Sequence, residues 1–188
     1  MSKAWPVRNI NPGDSLEVNA RRILRVRTGE FYSYEPVVDE STAVEPLHDL
    51  RIGAKRLRYT LELFRSVFGE TGERNIERVK TIQEALGNLH DADVRIALIQ
   101  DELLILAAEQ IAELSHTLLT TLPQAHGAIT TAALRPPPDD PRRGLVTLLG
   151  KQYAARQGHF RSFNVLWHQF DDEGMRDELV ALSRADQG

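Results

Sequence analysis

Apolar residues recur at helical spacing along nearly the whole chain, and the alternation of a half-buried strand bounded by hairpin turns is missing. A 3.6-residue period buries one stripe per helix, so such a chain is limited to helix-on-helix packing. In "NPGDSLEVNARRILRVRTGEFYSYEP" a turn and an Asp14 or Ser15 cap precede Leu16, Ile23, Leu24 and Phe31, predicting a first helix over about 15–35. Pro36 through Thr42 forms a link. A second helix starts near Pro46 and runs to about Phe68, where Gly69 supplies a stop. "ETGERN" reads as a short turn. A third helix begins near Glu73, with either a kink around Gly87 and "NLHDAD" or a new helix capped by Asp91, and the apolar pattern continues to about 121. "LRPPPDDP" marks a loop over about 123–141. Helices over about 142–170 and 173–185 close the chain. The fold class predicted is all-α, a bundle of long antiparallel helices. Residues 1–188 form one domain, with flexible ends over about 1–13 and 186–188.

Charge gives this frame a direction. The chain carries a net charge of -4, yet residues 48–58 hold Arg51, Lys55, Arg56 and Arg58 against Asp49 alone, a local +3. A uniformly basic chain would point to nonspecific nucleic-acid binding, whereas one basic strip in an acidic protein points to a localised anion site. The absence of cysteine excludes disulfides, thiolate metal sites and a cysteine nucleophile. No start segment of signal-peptide type and no bilayer-length apolar run is present, so the expectation is a cytoplasmic protein that does not enter a membrane.

The strip has a geometry. With His48 set at 0° on a helical wheel, Arg51 falls at about 300°, Lys55 at about 340°, Arg58 at about 280° and Tyr59 at about 20°. Arg56, at about 80°, flanks this arc, while Leu50, Ala54, Leu57, Leu61 and Phe64 fall between about 160° and 240°. One side of the helix seeks a core and nearly the opposite side carries cations, with Glu62 as the counter-charge inside their arc. Like charges so close repel, and an external polyanion relieves them. Arginine forks match phosphate oxygens in bidentate fashion and lysine adds a point charge. His48 to Arg58 spans about 15 Å, longer than a single phosphate needs.

"LHDLRIGAKRLRYTLELF" resembles the signature helix of the CHAD family, the conserved histidine α-helical domains. "IQEALGNLHDADVRIAL" resembles that family's second motif, a leucine-glycine followed by a histidine- or arginine-aspartate pair. Both lie between Leu47 and Leu98, in the family's order. The resemblance implies a helical module that binds inorganic polyphosphate through a basic surface and associates with polyphosphate granules. Carried over by position, it adds Lys80 and Arg95 to His48, Arg51, Lys55, Arg56 and Arg58 as polyphosphate-binding residues, with Lys151 and Arg156 on the late helix. It leaves Tyr59, His90 and Asp91 in support, Asp91 as the anchor of an arginine. Family members usually contain two such halves about a pseudo-twofold axis. This chain shows one, and a symmetric homodimer restores two facing copies.

Other chemistries fit less well. His48 and His90 with Asp49 or Asp91 offer nitrogen and oxygen ligands for a divalent metal, but without HExxH-type spacing and among cations. A polyphosphate hydrolase needs a carboxylate cluster holding metal, and the basic face has none. Single-stranded nucleic acid calls for interleaved aromatics, and only Tyr59 shares the arc. Phe160, Phe163 and Trp167 recur at core spacing. The expected function is therefore non-catalytic polyphosphate binding, with no cofactor and no bound metal. Protonated His48 is expected to tighten binding as pH falls from about 8 to 6.

Overall fold

The computed structural model describes residues 3–8, 10–120 and 140–184. Every regular element among them is helical: α1 (Leu16–Tyr32), a 3₁₀ turn (Glu35–Val37), α2 (Val44–Leu63), α3 (Arg65–Thr120), α4 (Pro141–Asp172) and α5 (Met175–Ser183). The expected all-α class is what the chain adopts. Of the loop expected over 123–141, only Asp140 and Pro141 fall within the described residues, and the tail at 186–188 falls outside them.

Local chemistry accounts for most boundaries. Ser15 caps α1, its hydroxyl accepting from the Val18 N–H at 3.2 Å. The second helix ends at Leu63, earlier than expected, because Phe64 leaves helical geometry (φ -107°, ψ 28°). Phe64 and Phe68, one turn apart, both enter the core, edge-on with ring centroids 6.4 Å apart. Gly69, at φ 55° and ψ -150°, breaks the helix inside α3, a conformation in which a Cβ would be strained. "ETGERN" is helical rather than a turn, and α3 continues through Gly87 and "NLHDAD" with Gly69 its one non-helical residue.

The chain divides into two compact units, residues 1–91 with 156–188, and residues 92–155. The first contains one hydrophobic core, built on Leu24 and Phe31 of α1, Leu50, Leu57 and Leu61 of α2, Ile76, Val79, Ile82, Leu86 and Leu89 of α3, Phe163 and Trp167 of α4, and Leu179 of α5. Burying side chains of this size stabilises the unit by about 1.5–3 kcal/mol each before entropy is set against it. The aromatic series on α4 serves this core: Trp167 packs on Phe31 with centroids 5.0 Å apart. The segment before α1 is tied down, with the Trp5 N–H donating to Glu30 Oε1 at 3.3 Å and Asn11 exchanging two hydrogen bonds with Asn19.

In the second unit, α3 and α4 run antiparallel. Gln100 donates to the Tyr153 hydroxyl at 3.1 Å, while Arg142, eleven residues earlier on α4, reaches Gln110, ten residues later on α3.

Candidate functional site

In the first unit α2 lies antiparallel to the first half of α3, and the cationic arc faces that seam. Three contacts step along it. His48 Nδ1 lies 3.1 Å from His90 Nδ1. Arg51 Nε faces Gly87, where a Cβ would sit 3.7 Å away. Arg58 Nε donates to Gln83 Oε1 at 3.0 Å. The apolar stripe of α2 is buried behind them, so burial of Leu50, Leu57 and Leu61 is what turns the arc outward.

The cations along the seam differ in what already holds them. Arg51 is half-buried, its Nε is fully buried without a hydrogen-bond partner, and it forms no ion pair among the described residues. Lys55 is exposed and lies 5.6 Å from the centre of the Tyr59 ring. Arg58 stacks on the same ring at 4.8 Å and pairs with Glu62 Oε1 at 2.9 Å, so its charge is partly met within the chain. Lys80, on α3, is exposed, with Glu77 at 3.6 Å. Tyr59 is half-exposed, with both cations within reach of its ring.

Arg56 takes a different course. It turns to the flank and donates to Glu30 Oε1 at 2.6 Å; Arg27 holds the other oxygen of this carboxylate, which is only 1 % exposed. A buried carboxylate needs such partners, so Arg56 is occupied in holding α1 against α2. Arg156 is likewise buried, donating to the Ser41 carbonyl at 2.6 Å and tying α4 to the link after α1. Asp91 is exposed and makes no ion pair with an arginine among the described residues, contrary to its expected anchoring role. Arg95 and Lys151 are exposed in the second unit.

The two histidines form a hydrogen-bonded pair, ring centroids 4.4 Å apart and tilted by 39°. One neutral ring donates its Nδ1–H to the lone pair of the other, which two protonated rings cannot do. Burial, the neighbouring His90 and Arg51 hold the His48 pKa below its ordinary 6.5 against the opposing pull of Asp49. Among the described residues no three histidine, aspartate or glutamate side chains converge in a way that could hold a metal ion.

Sequence reasoning missed Glu30 and Gln83. Glu30 has one local partner, Arg27 three residues before it, but Arg56 and Trp5 meet it only through packing, so its burial leaves no local signal. Gln83 lies inside the second motif, directly across the seam from Arg58, and the antiparallel pairing of the two motif helices would have found it.

Compared with known protein families, residues 7–100, half of the chain, match the family described as CHAD domain. No curated protein and no solved structure matches the chain.

Proposed function

From the premise that the chain belongs to the CHAD domain family, we propose that it binds inorganic polyphosphate along the α2–α3 seam without cleaving it. The observation that carries this reading is Arg51. A half-buried guanidinium with no carboxylate partner among the described residues and a buried, unsatisfied Nε is a costly arrangement for a purely structural residue. An external oxyanion meets the charge at the terminal guanidinium nitrogens, while Nε stays behind them against Gly87. Lys55, Arg58 and Lys80 extend the positive charge along the seam for further phosphates, and Arg95 and Lys151 are further candidates for contact in the second unit. Arg56 and Arg156 hold the fold, and their part in binding is indirect.

A linear chain of phosphates suits this row better than a nucleic acid does. Single strands are held by successive stacked bases, and here the one aromatic ring in the row is engaged by cations. Hydrolysis needs metal-held carboxylates close to the scissile phosphate; Glu62 and Glu77 beside the row are paired with Arg58 and Lys80, and no three acid or histidine side chains among the described residues converge to hold a metal ion. Affinity then comes from several cation–phosphate contacts with release of counterions. Self-association into a homodimer offers a second row to the same polyanion and raises avidity through effective concentration. No described helix is long and apolar enough to cross a membrane, and association with polyphosphate granules follows from binding itself.

The test is a polyphosphate titration of the wild-type protein against the double variant Arg51→Glu/Arg58→Glu. Loss of binding with an unchanged helical circular dichroism spectrum is expected. Undiminished binding by a folded double variant overturns the assignment, and orthophosphate release by the purified protein overturns its non-catalytic part.

A further inference from the structure

The second unit carries a long apolar face that its own hairpin leaves open. Val94, Leu98, Leu104, Ile105, Ile111 and Leu119 on α3 are between 43 % and 85 % exposed. With Val94 at 0°, they all lie between about 260° and 40° on the helical wheel, over roughly 37 Å of helix. The opposite side of the helix, centred near 170°, holds the buried Ala92, Ile96 and Ile99 and the half-covered Leu103 and Leu106. Ala97, Ala108 and Ala112 fall inside the exposed arc and keep it smooth, and Asp101 is its one formally charged residue. The series Leu98, Ile105, Ala112, Leu119 repeats every seven residues, the spacing of a helix that packs lengthwise on another helix. Exposed apolar surface this continuous marks an interaction site.

Charge identifies the occupant. From 96 to 120, α3 contains Asp101, Glu102, Glu109 and Glu113 and no lysine or arginine; from 141 to 170, α4 contains no acid at all. Glu102, Glu109 and Glu113 line one edge of the apolar arc, at about 60° to 100°. Arg143 and Lys151 on α4 are exposed, and neither forms an ion pair among the described residues. One hairpin is thus an acidic helix beside a basic helix: Glu109 and Glu113 border Pro141 and Arg142 of their own chain and Arg143 acts on Asp140, while Glu102 and Lys151 form no ion pair among the described residues.

We propose that this face is the contact with a second copy of the chain, the two hairpins closing into a four-helix bundle. About a twofold axis each acidic α3 gains the partner's basic α4 as its second neighbour, so acid and base alternate around the ring. The proposal gives a surface to the self-association stated above and rests on it; polyphosphate binding at the α2–α3 seam does not depend on it.

Light scattering on the full chain at micromolar concentration is expected to give twice the 21.2 kDa chain mass. Ile105→Glu/Ile111→Glu is expected to halve that mass while the helical spectrum persists. Glu109→Lys and Arg143→Glu, each alone, are expected to weaken the dimer, and mixing the two is expected to restore it, because each heterodimer contact then pairs opposite charges. Monomeric wild-type protein overturns self-association altogether. A dimer that survives both the apolar and the charge variants overturns this surface alone. Failure of mixing to restore the dimer overturns the α3–α4 pairing, even if the apolar variant does not fold. A parallel polyphosphate titration of each variant separates these outcomes from failure of the anion site.

Discussion

Arg51 and Arg56 are the same residue type, five positions apart on one helix, and the structure assigns them opposite consequences. Arg51 has no carboxylate partner among the described residues, so removing its guanidinium breaks no ion pair among them. Arg51→Ala is expected to remove a charge-assisted contact with the anion worth about 1.5–3 kcal/mol, or about 10- to 150-fold in Kd. The slope of log Kd against log salt should fall by about one, since one fewer counterion is released. Arg56 donates to a carboxylate that is 1 % exposed and retains Arg27 and the Trp5 N–H when Arg56 is lost. Arg56→Ala is therefore expected to cost about 1.5–3 kcal/mol of stability, a fall in Tm of roughly 3–12 °C, with Kd changed little at temperatures where the variant is folded. Thermal unfolding followed by circular dichroism and polyphosphate titration at three salt concentrations read both quantities. If Arg56→Ala weakens binding as much as Arg51→Ala while Tm stays put, the division between binding and structural arginines is wrong.

Two further outcomes follow from the same seam. The His48 pKa is held below 6.5 in the free protein, so its ring is neutral at pH 7 and the unfolded chain takes up the proton first as pH falls. Its stability contribution is complete above about 6.5 and is lost below that value. Bound phosphates raise the pKa, so affinity should tighten as pH falls through the bound-state pKa and level off below the lowered free-state one, and His48→Gln should flatten that part of the profile. Gly87→Ala should bind nearly as wild type, because its Cβ makes ordinary contact with Arg51 Nε at 3.7 Å, whereas Gly87→Leu should displace the guanidinium and weaken binding at least as much as Arg51→Ala does; titration of the two folded variants decides this.

The helical class was legible because a 3.6-residue apolar period is a property of consecutive residues. The same periodicity separated the cationic side of α2 from its core side, and two motifs in order indicated the family. Boundaries were legible where a cap or a left-handed glycine acts locally, as at Ser15 and Gly69. They were misread at Leu63, where Phe64 leaves helical geometry although Phe64 and Phe68 would share the core face of an unbroken helix, and at "ETGERN", where polar turn-formers lie within a long helix. Which cations remain available was decided only in three dimensions. Charge adds up along a sequence, but an ion pair depends on the distance between side chains that meet through packing. Glu30 reaches Arg56 across 26 positions, Gln83 reaches Arg58 across 25, and His90 meets His48 across 42. The sequence by itself determined that α2 has a basic face; tertiary packing decided that Arg56 serves the fold and left Arg51 without an acid among the described residues, because only the folded chain brings distant carboxylates within reach.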